Sequence, residues 1–550
     1  MQVQAARQGR PDLWDRVRAS IIGGNAFLDT PFGRRRLTYA DYTASGRAVT
    51  IIEDQLRASL ELYGNTHTED DATGAITSER LREAEALIKR LVNAGPDHKI
   101  VTVGAGTTAA VHQLQQILGI YLPPAGRDFF QARDQVPRPV VFVGPYEHHS
   151  NEVSWRECYA EVVEIELSGD GLLDLDDLRA KVGSDRYAGR RKIGAFSAAS
   201  NVSGVTTPVD EVARILHNNG ALAFFDFAAA APYVQMDMRR DDRSYFDALY
   251  FSPHKYLGGP GSCGVLIFHQ GIYRADLPPT VGAGGTVDFV GFEGQAYSTD
   301  IEVREKPGTP GILQTLRAAL AMELKEMLGP ARIAAHEAEL TRRAHAALCA
   351  HPGIDLMGGV GPENRLPIFS FNVRVGSSWL HPRFVTTLLN DLFGIQSRAG
   401  CSCAAPYGHR ILHIDEHKSQ ELRRSIMCGN VGLKPGWARV NFHFLHTEAE
   451  VDFICRSILF VAEHGKKFLP LYRFDMRSGA WRHRDFVPLR IPFGLEQALS
   501  GEPARLHREE LPDLGRLFQE YLSEARRCAD SIAPRDLKTT EEDLIPFVYV

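Results

Sequence analysis

A single lysine follows a short apolar stretch near the middle of the chain. Lys255 lies in the glycine-rich turn Ser252 to Gly261, directly after the apolar run Ala248 to Phe251. A lysine at the end of a buried strand can be desolvated beside other charges, which lowers its pKa and makes its amine nucleophilic. A solvated loop lysine is the ordinary alternative for such a residue in isolation. The polar residues that follow other apolar runs favour the chemical interpretation.

Four other apolar runs also lead into polar residues of complementary types. Asp226 ends one run and needs a cationic partner if it is buried, although a helix cap is the simpler role for an isolated aspartate. Gly104 to Thr108 open a helical stretch, where backbone N–H groups and two hydroxyls form a phosphate cradle, although plain turns have the same composition. An imidazole and an amide follow two further runs, at His148 and Asn201.

These residues together match one cofactor. Ligands of parallel sheets bind at the carboxyl ends of the strands, so side chains that follow separate strands are expected to meet there. Lys255 can condense with an aldehyde, and Asp226 can keep a ring nitrogen protonated. His148 can stack on the ring, and Asn201 can bind a ring hydroxyl. A phosphorylated aromatic aldehyde satisfies all four groups, so the pattern predicts pyridoxal 5'-phosphate as the cofactor.

The set of motifs resembles the class V, fold type I enzymes that use pyridoxal phosphate, particularly cysteine desulfurases and selenocysteine lyases. The resemblance extends from about Leu37 to Phe460 and includes Tyr39 to Ala44, Tyr63 to His67 and Gly308 to Pro310. It implies a homodimer in which Thr309 reaches the cofactor of the neighbouring subunit. It also implies that the phosphate is bound by four side chains, those of Thr107, Thr108, Ser252 and His254.

Two later segments resemble the substrate side of the same family. Arg439 matches the arginine that binds the substrate carboxylate, a task that suits a bidentate guanidinium, and Arg398 is assigned to the same substrate site. The loop Arg398 to Pro406 resembles the desulfurase motif Arg-x-Gly-x-x-Cys-Ala-x-Pro, which aligns Cys403, rather than Cys401, with the nucleophile. A redox or zinc-binding pair is the alternative. Zinc is disfavoured because no second closely spaced Cys/His pair accompanies it, and a disulfide across one residue would be strained. No metal site is predicted.

The resemblance implies an enzyme that removes sulfur from L-cysteine or a related amino acid and yields alanine through a persulfide on Cys403. Lys255 and His148 are the expected acid and base groups. A protein that accepts the sulfur is a candidate partner. Transamination, epimerisation or C–S cleavage of a larger amino acid is the alternative reaction on the same scaffold. A sulfur-relay or scaffold protein is the alternative from another class.

Several features depart from the desulfurase pattern. Ala229 stands where these enzymes usually have a glutamine that contacts the ring hydroxyl, and Pro253 replaces a common glycine. The segment Tyr407 to Ala438 and residues 461–550 have no counterpart in the pattern. These departures affect the prediction of the substrate and leave that of the cofactor unchanged.

The elements that must position these residues are typical of an α/β fold, with helices around a mostly parallel sheet. Helix-period stretches such as Val209 to Asn219 alternate with strand-length apolar runs. The predicted organisation is an N-terminal segment (1–36), a large cofactor-binding domain (37–311), a smaller α+β domain (312–460) and a C-terminal extension (461–550). The predicted strands are Ile100 to Val103, Val140 to Val143, Ile193 to Phe196, Ala221 to Phe225, Ala248 to Phe251 and Gly264 to Phe268.

Composition excludes several classes of protein. The chain has 550 residues, of which 44% are hydrophobic and 24% charged, with a net charge of −6 and no long run of one sign. These values are typical of a globular protein and disfavour nucleic-acid binding. No apolar stretch approaches the ~20 residues that span a bilayer, so no membrane association is expected. The eight irregularly spaced cysteines and the charged stretch from Met1 to Arg18 predict a reducing, cytoplasmic location.

Overall fold

The computed structural model describes residues 12–127, 137–488, 493–500, 507–508, 513–540 and 547–549. The first eleven residues of the predicted N-terminal segment lie outside these ranges. The chain divides into two compact units. The first, here called the sheet unit, comprises Thr43–Asn201 and Val205–Ala335. The second, the C-terminal unit, comprises Met1–Tyr42, Val202–Gly204 and His336–Val550.

A seven-stranded sheet forms the centre of the sheet unit. Six strands run in one direction, and Gly264–His269 runs antiparallel to both of its neighbours. The strands Val140–Val143 and Ala248–Phe251 are buried along their whole length, which explains why they read as continuous apolar runs. In spatial order the strands are His98–Val103, Gly264–His269, Ala248–Phe251, Ala221–Asp226, Lys192–Ser197, Val140–Val143 and Glu161–Glu164.

Helices follow most of these strands, as the alternating pattern predicts for a parallel sheet. Val209–Asn218 packs four buried apolar residues and ends before Gly220, whose φ is +67°. A short hairpin, Val287–Val290 with Gln295–Tyr297, follows the last strand of the sheet in chain order. The other helices of the unit are Thr50–Leu60, Ala72–Leu91, Gly106–Ile117, His149–Arg156, Leu175–Val182, Ile301–Arg304 and Ile312–Leu328.

The C-terminal unit contains an antiparallel sheet of five strands. Its strands are ordered Ile354–Leu356, Ile368–Val375, Trp437–Asn441 and Arg398–Gly400, and Ser378–Leu380 pairs with the second of them. The helix Pro330–Cys349 leads into it. The further strands are Ala26–Thr30, Gly33–Arg36, Thr38–Tyr39, Ile395–Gln396, Tyr472–Asp475, Ala480–His483, His507–Arg508, Lys538–Thr539 and Val548–Tyr549. The further helices are Leu13–Ala19, Pro382–Phe393, Ala405–Ile411, Glu416–Met427, Glu448–His464, Glu496–Leu499 and Leu514–Ser531.

Side chains from beyond residue 460 contribute to the core of the C-terminal unit. Phe518, on the helix Leu514–Ser531, stacks on Phe453 with ring centroids 4.0 Å apart, and both rings are buried. Trp481 and Phe547 belong to the same hydrophobic cluster. The extension therefore buries apolar surface together with the helix Glu448–His464, and its aromatic residues stabilise that unit.

Within the described ranges, no helix combines the length and the apolar composition that a bilayer crossing requires. Likewise, no group of three or more histidine, cysteine, aspartate or glutamate side chains among the described residues has the geometry to hold a metal ion.

Candidate active site

Asp226 is a buried carboxylate at the end of a central strand. Only 3% of its surface is exposed. Its Oδ1 accepts a hydrogen bond from the Ala228 N–H at 2.8 Å, and the Thr107 hydroxyl lies 3.5 Å from the same oxygen. Burial raises the pKa of Asp226 to about 6, although the Ala228 hydrogen bond and the charge of Lys255 lower it. The predicted lysine and aspartate are thus electrostatic neighbours.

Lys255 is held by the main chain of its turn. It ends the 3₁₀ helix Pro253–Lys255, which follows the strand adjacent to that of Asp226. A Cβ atom at Gly259 would lie 1.9 Å from the carbonyl oxygen of Pro253, so only glycine permits the turn to fold back here. The His254 carbonyl accepts from the Gly46 N–H at 2.9 Å. These contacts fix the backbone from which the amine projects.

A cradle for an oxyanion lies beside this turn. The Thr107 N–H donates to Ser252 Oγ at 2.8 Å, and Ser252 Oγ donates to Thr107 Oγ1 at 3.0 Å. Gly106 has a φ of +68°, and a Cβ there would lie 2.9 Å from Ser252 Oγ. Burial and the charge of Lys255 lower the pKa of His254 to about 4, so this ring is neutral at pH 7. Hydroxyls and N–H groups at the start of the twelve-residue helix Gly106–Ile117 fit a phosphate.

His148 is oriented by the residue two positions later. The Ser150 N–H donates to His148 Nδ1 at 3.1 Å, which makes Nδ1 an acceptor and leaves the proton of the neutral ring on Nε2. The Ser150 hydroxyl also lies 2.6 Å from Thr108 Oγ1. Ser150 therefore links the predicted stacking residue to the predicted phosphate-binding threonine.

The buried glutamate that precedes His148 in the chain was not predicted to take part in the site. Glu147 Oε1 accepts from the Ser197 N–H at 2.8 Å, and its Oε2 accepts from the Ser197 hydroxyl at 2.6 Å and from Asn151 Nδ2 at 2.7 Å. Burial raises the pKa of Glu147 to about 7 against these hydrogen bonds. Its carboxyl group ties the His148 segment to the strand Lys192–Ser197. Its position directly before His148 was a signal that the prediction left unused.

Three further residues that the sequence analysis singled out lie in the sheet unit. Asn201 is buried and follows the strand Lys192–Ser197 by four residues. Ala229 is also buried, three residues after Asp226, where its methyl group offers no hydrogen bond. Thr309 lies in another, exposed loop, and Asn65 Nδ2 donates to its hydroxyl at 3.2 Å.

Two arginines face each other in the C-terminal unit. Arg398 and Arg439 are directly opposite on the antiparallel strands Arg398–Gly400 and Trp437–Asn441. Directly opposite residues have Cβ atoms about 4.5–5.5 Å apart, and like charges there repel unless an anion accompanies them. Arg439, 2% exposed, donates to Asp41 Oδ1 at 2.8 Å. Two facing guanidinium groups suit the binding of a carboxylate. Asp41 was missed, although it lies inside the quoted segment Tyr39 to Ala44.

The loop with the two cysteines has an unusual backbone. Ser402 and Cys403 have φ values of +51° and +57°, a region that costs energy for any residue with a side chain and is most often retained at functional sites. The Ala404 N–H donates to the Cys401 carbonyl at 3.1 Å. Both thiols are free and partly exposed.

Comparison with known proteins identifies the family. The aminotransferase class-V family matches residues 38–454, most of the chain. The chain belongs to the class-V aminotransferases. This class-V chain is 27% identical over 384 residues to a probable cysteine desulfurase of Halalkalibacterium halodurans, and the match covers 69% of the chain and 87% of the relative. A probable cysteine desulfurase of Staphylococcus epidermidis is 28% identical over 392 residues, which cover 70% and 88%.

Solved structures confirm the predicted fold of the class-V chain. The apo cysteine desulfurase of Thermococcus onnurineus NA1 has a TM-score of 0.65 at 22% identity, and the match covers 82% of the chain and 98% of that structure. The cysteine desulfurase CsdA of Escherichia coli, in an S-sulfonic acid form, has a TM-score of 0.60 at 23% identity with the same coverage. The α/β, fold type I prediction is therefore correct.

The class-V chain groups its predicted site residues in two places. The sheet unit brings together what we call the Lys255 cluster, which consists of Lys255, Asp226, Thr107, Ser252 and His254. The C-terminal unit contains what we call the Arg–Cys region, which consists of Arg398, Arg439, Cys401 and Cys403. The first group suits a phosphorylated aldehyde, and the second suits a carboxylate with a thiol acceptor.

Proposed function

We propose that the chain is a pyridoxal-phosphate-dependent cysteine desulfurase, which removes sulfur from L-cysteine or a related amino acid and releases alanine. The observation that carries the proposal is the Lys255 cluster, in which a lysine charge adjoins a buried carboxylate beside a hydroxyl and N–H cradle. The names of the two sequence relatives support the choice of cysteine as substrate. When bound, pyridoxal phosphate supplies an aldehyde for the substrate amine and a ring that withdraws electrons from Cα.

The side chains of the Lys255 cluster would hold the cofactor and move one proton. Ser252, Thr107 and the N–H groups at the start of the helix Gly106–Ile117 bind the phosphate. Asp226, ionised above pH about 6, stabilises a protonated ring nitrogen. The Lys255 amine takes the proton from the substrate Cα. His148 can act as a general acid that donates its Nε2 proton to the substrate.

The Arg–Cys region would bind the substrate carboxylate and accept its sulfur. Arg398 and Arg439 bind the carboxylate, since two facing guanidinium groups suit a bidentate oxyanion. The Cys403 thiolate attacks the substrate sulfur, and an S–S bond forms while the C–S bond breaks. The electron pair of that bond stays with the substrate carbon, which takes up a proton and becomes the methyl group of alanine. Cys403 retains the sulfur as a persulfide.

The proposal includes a homodimer and a sulfur acceptor. The exposed Thr309 is available to a neighbouring subunit, as the family resemblance implies. Partial exposure of Cys403 lets a thiol or an acceptor protein reach the persulfide and return the enzyme to its thiol form.

The decisive experiment compares the wild-type protein with Cys403→Ser and Cys401→Ser. Each is incubated with L-cysteine, pyridoxal phosphate and a reductant, and alanine and sulfide are quantified. We expect the wild type and Cys401→Ser each to release alanine and sulfide in equal amounts. Cys403→Ser should release neither product. Equal turnover by all three proteins would contradict the role of Cys403. A keto acid or an epimer without sulfide would contradict the desulfurase reaction itself.

A further inference from the structure

A cavity lies wholly within the C-terminal unit. Its volume is about 450 Å³, within the range of about 300–1,000 Å³ that is typical of small-molecule sites. Leu356 comes from an edge strand of the sheet, and Trp379 lies on the strand Ser378–Leu380, which pairs with Ile368–Val375. Leu412 and Leu433 come from the segment Tyr407 to Ala438, and Phe547 comes from near the end of the chain. The cavity therefore has an apolar wall built from the sheet, from this segment and from the end of the chain, and of these only the end lies outside the family match.

The charges on this wall are almost all positive. Arg374, Lys418 and Lys434 line the cavity, whereas Asp355 is the one acidic residue on it among the described residues. Asp355 is already neutralised, because Arg374 Nη2 donates to its Oδ2 at 2.6 Å. Within the described part of the chain, neither lysine forms an ion pair within 4.0 Å. Lys418 is half-buried, so an anion beside it would be partly shielded from solvent.

The aromatic side chains favour a flat ligand body. Arg374 stacks on Trp379 at 4.7 Å from the ring centroid, which fixes the orientation of the indole. Phe547 is held by a β-bridge to Trp379 and by a T-shaped contact with His381 at 4.7 Å. An aromatic body buried against these walls is stabilised by the removal of its apolar surface from water.

We propose that this cavity binds a small organic anion, in which a phosphate or carboxylate group pairs with Lys418 and Lys434 and an apolar body lies against Leu412, Leu433 and Phe547. Ammonium groups bind either oxyanion as point charges, so the lysines alone do not choose between the two. The cavity shares no residue with the Lys255 cluster. Anion binding in it does not depend on the proposed desulfurase reaction.

One structural link makes the site relevant to the cysteine loop. The helix Ala405–Ile411 begins two residues after Cys403, and its last residue, Ile411, lines the cavity. Leu412 and His413 continue along the wall, and His413 has a left-handed φ of +51°. A ligand in the cavity therefore contacts the far end of the element that follows the cysteine.

Calorimetric titration of the full-length holoenzyme with phenyl phosphate and, separately, with benzoate tests the proposal. Bound pyridoxal phosphate blocks the phosphate cradle of the Lys255 cluster during both titrations. We expect at least one anion to bind with a dissociation constant below about 1 mM, equivalent to about −4 kcal/mol. Tighter binding of phenyl phosphate identifies a phosphate ligand, and tighter binding of benzoate identifies a carboxylate ligand. Benzyl alcohol, which has the ring without the charge, should not bind measurably.

Matched variants establish where the anion binds. The double substitution Lys418→Gln/Lys434→Gln should weaken binding at least about tenfold, whereas Lys466→Gln/Lys467→Gln, which removes the same charge elsewhere on this unit, should leave it unchanged. The proposal is overturned if neither anion binds at millimolar concentration, if benzyl alcohol binds as tightly as the anions, or if both double variants bind like the wild type.

Discussion

The Lys255 cluster and the Arg–Cys region differ in how the protein surrounds their reactive groups. Asp226 and Ser252 are buried at the ends of strands, and their hydrogen bonds are made by backbone and hydroxyl groups of the same unit. Cys401 and Cys403 are partly exposed, on a loop whose backbone is left-handed at Ser402 and Cys403. Under the proposed function, desolvation tunes the groups that hold a cofactor, whereas a thiol that passes on sulfur has to remain accessible.

A large effect on kcat is expected from Asp226→Asn. The substitution keeps the size of the side chain and removes the charge that faces the ring nitrogen. We expect kcat for cysteine to fall by about 10²–10³-fold, the typical cost of removing a preorganised electrostatic contact. Steady-state kinetics with saturating cofactor measure the change. An unchanged kcat, with native circular dichroism, would mean that the carboxylate has no role in the reaction.

Sequence reasoning was most accurate where burial decided the structure. The runs Val140 to Val143 and Ala248 to Phe251 were predicted to the residue, because strands covered on both faces leave no other pattern. Glu161–Glu164 was not predicted, since this edge strand has only two apolar residues between two glutamates. The reversed direction of Gly264–His269 also escaped prediction, because an apolar run gives no information about strand direction.

The candidate site was predictable to the extent that its residues follow strands. Lys255 and Asp226 were identified in this way, and the structure brings their charges together. Asp41 and Glu147 were missed because each acts through a contact with a residue distant in space or assigned another role, and such pairings are set by tertiary packing. The left-handed backbone at Ser402 was equally hidden, since serine has no particular preference for that region.

A smaller effect is expected from Arg439→Lys, in the Arg–Cys region. Lysine keeps the charge but loses the two-pronged geometry proposed for the substrate carboxylate. We expect KM for cysteine to rise about tenfold while kcat changes by less than about threefold, since the contact is made equally in the ground state and the transition state. The exposed hairpin substitution Arg477→Lys serves as the control. A fall in kcat with KM unchanged would place Arg439 in the chemical step instead.

The pH dependence of cofactor binding should show the smallest change. The raised pKa of Asp226 means that its contribution to stability is present below pH 3.8 and is lost as the pH rises through about 6. Cofactor binding has the opposite dependence, because the ring nitrogen requires the ionised form. Affinity should fall by at most about tenfold for each pH unit below 6.

Equilibrium titrations of the cofactor between pH 5 and about pH 8 measure this slope. The fall that persists in Asp226→Asn belongs to the cofactor's own titrating groups, and the difference between the two proteins belongs to Asp226. Identical slopes in the two proteins would show that Asp226 does not titrate in this range.

The proposed function requires that the Lys255 amine binds pyridoxal phosphate covalently. Borohydride reduction of the protein with bound cofactor, followed by peptide mass spectrometry, tests it most directly. We predict one reduced pyridoxyl adduct, on Lys255, and its loss in Lys255→Ala. An unmodified Lys255, or an adduct confined to other lysines and retained in Lys255→Ala, would contradict the account.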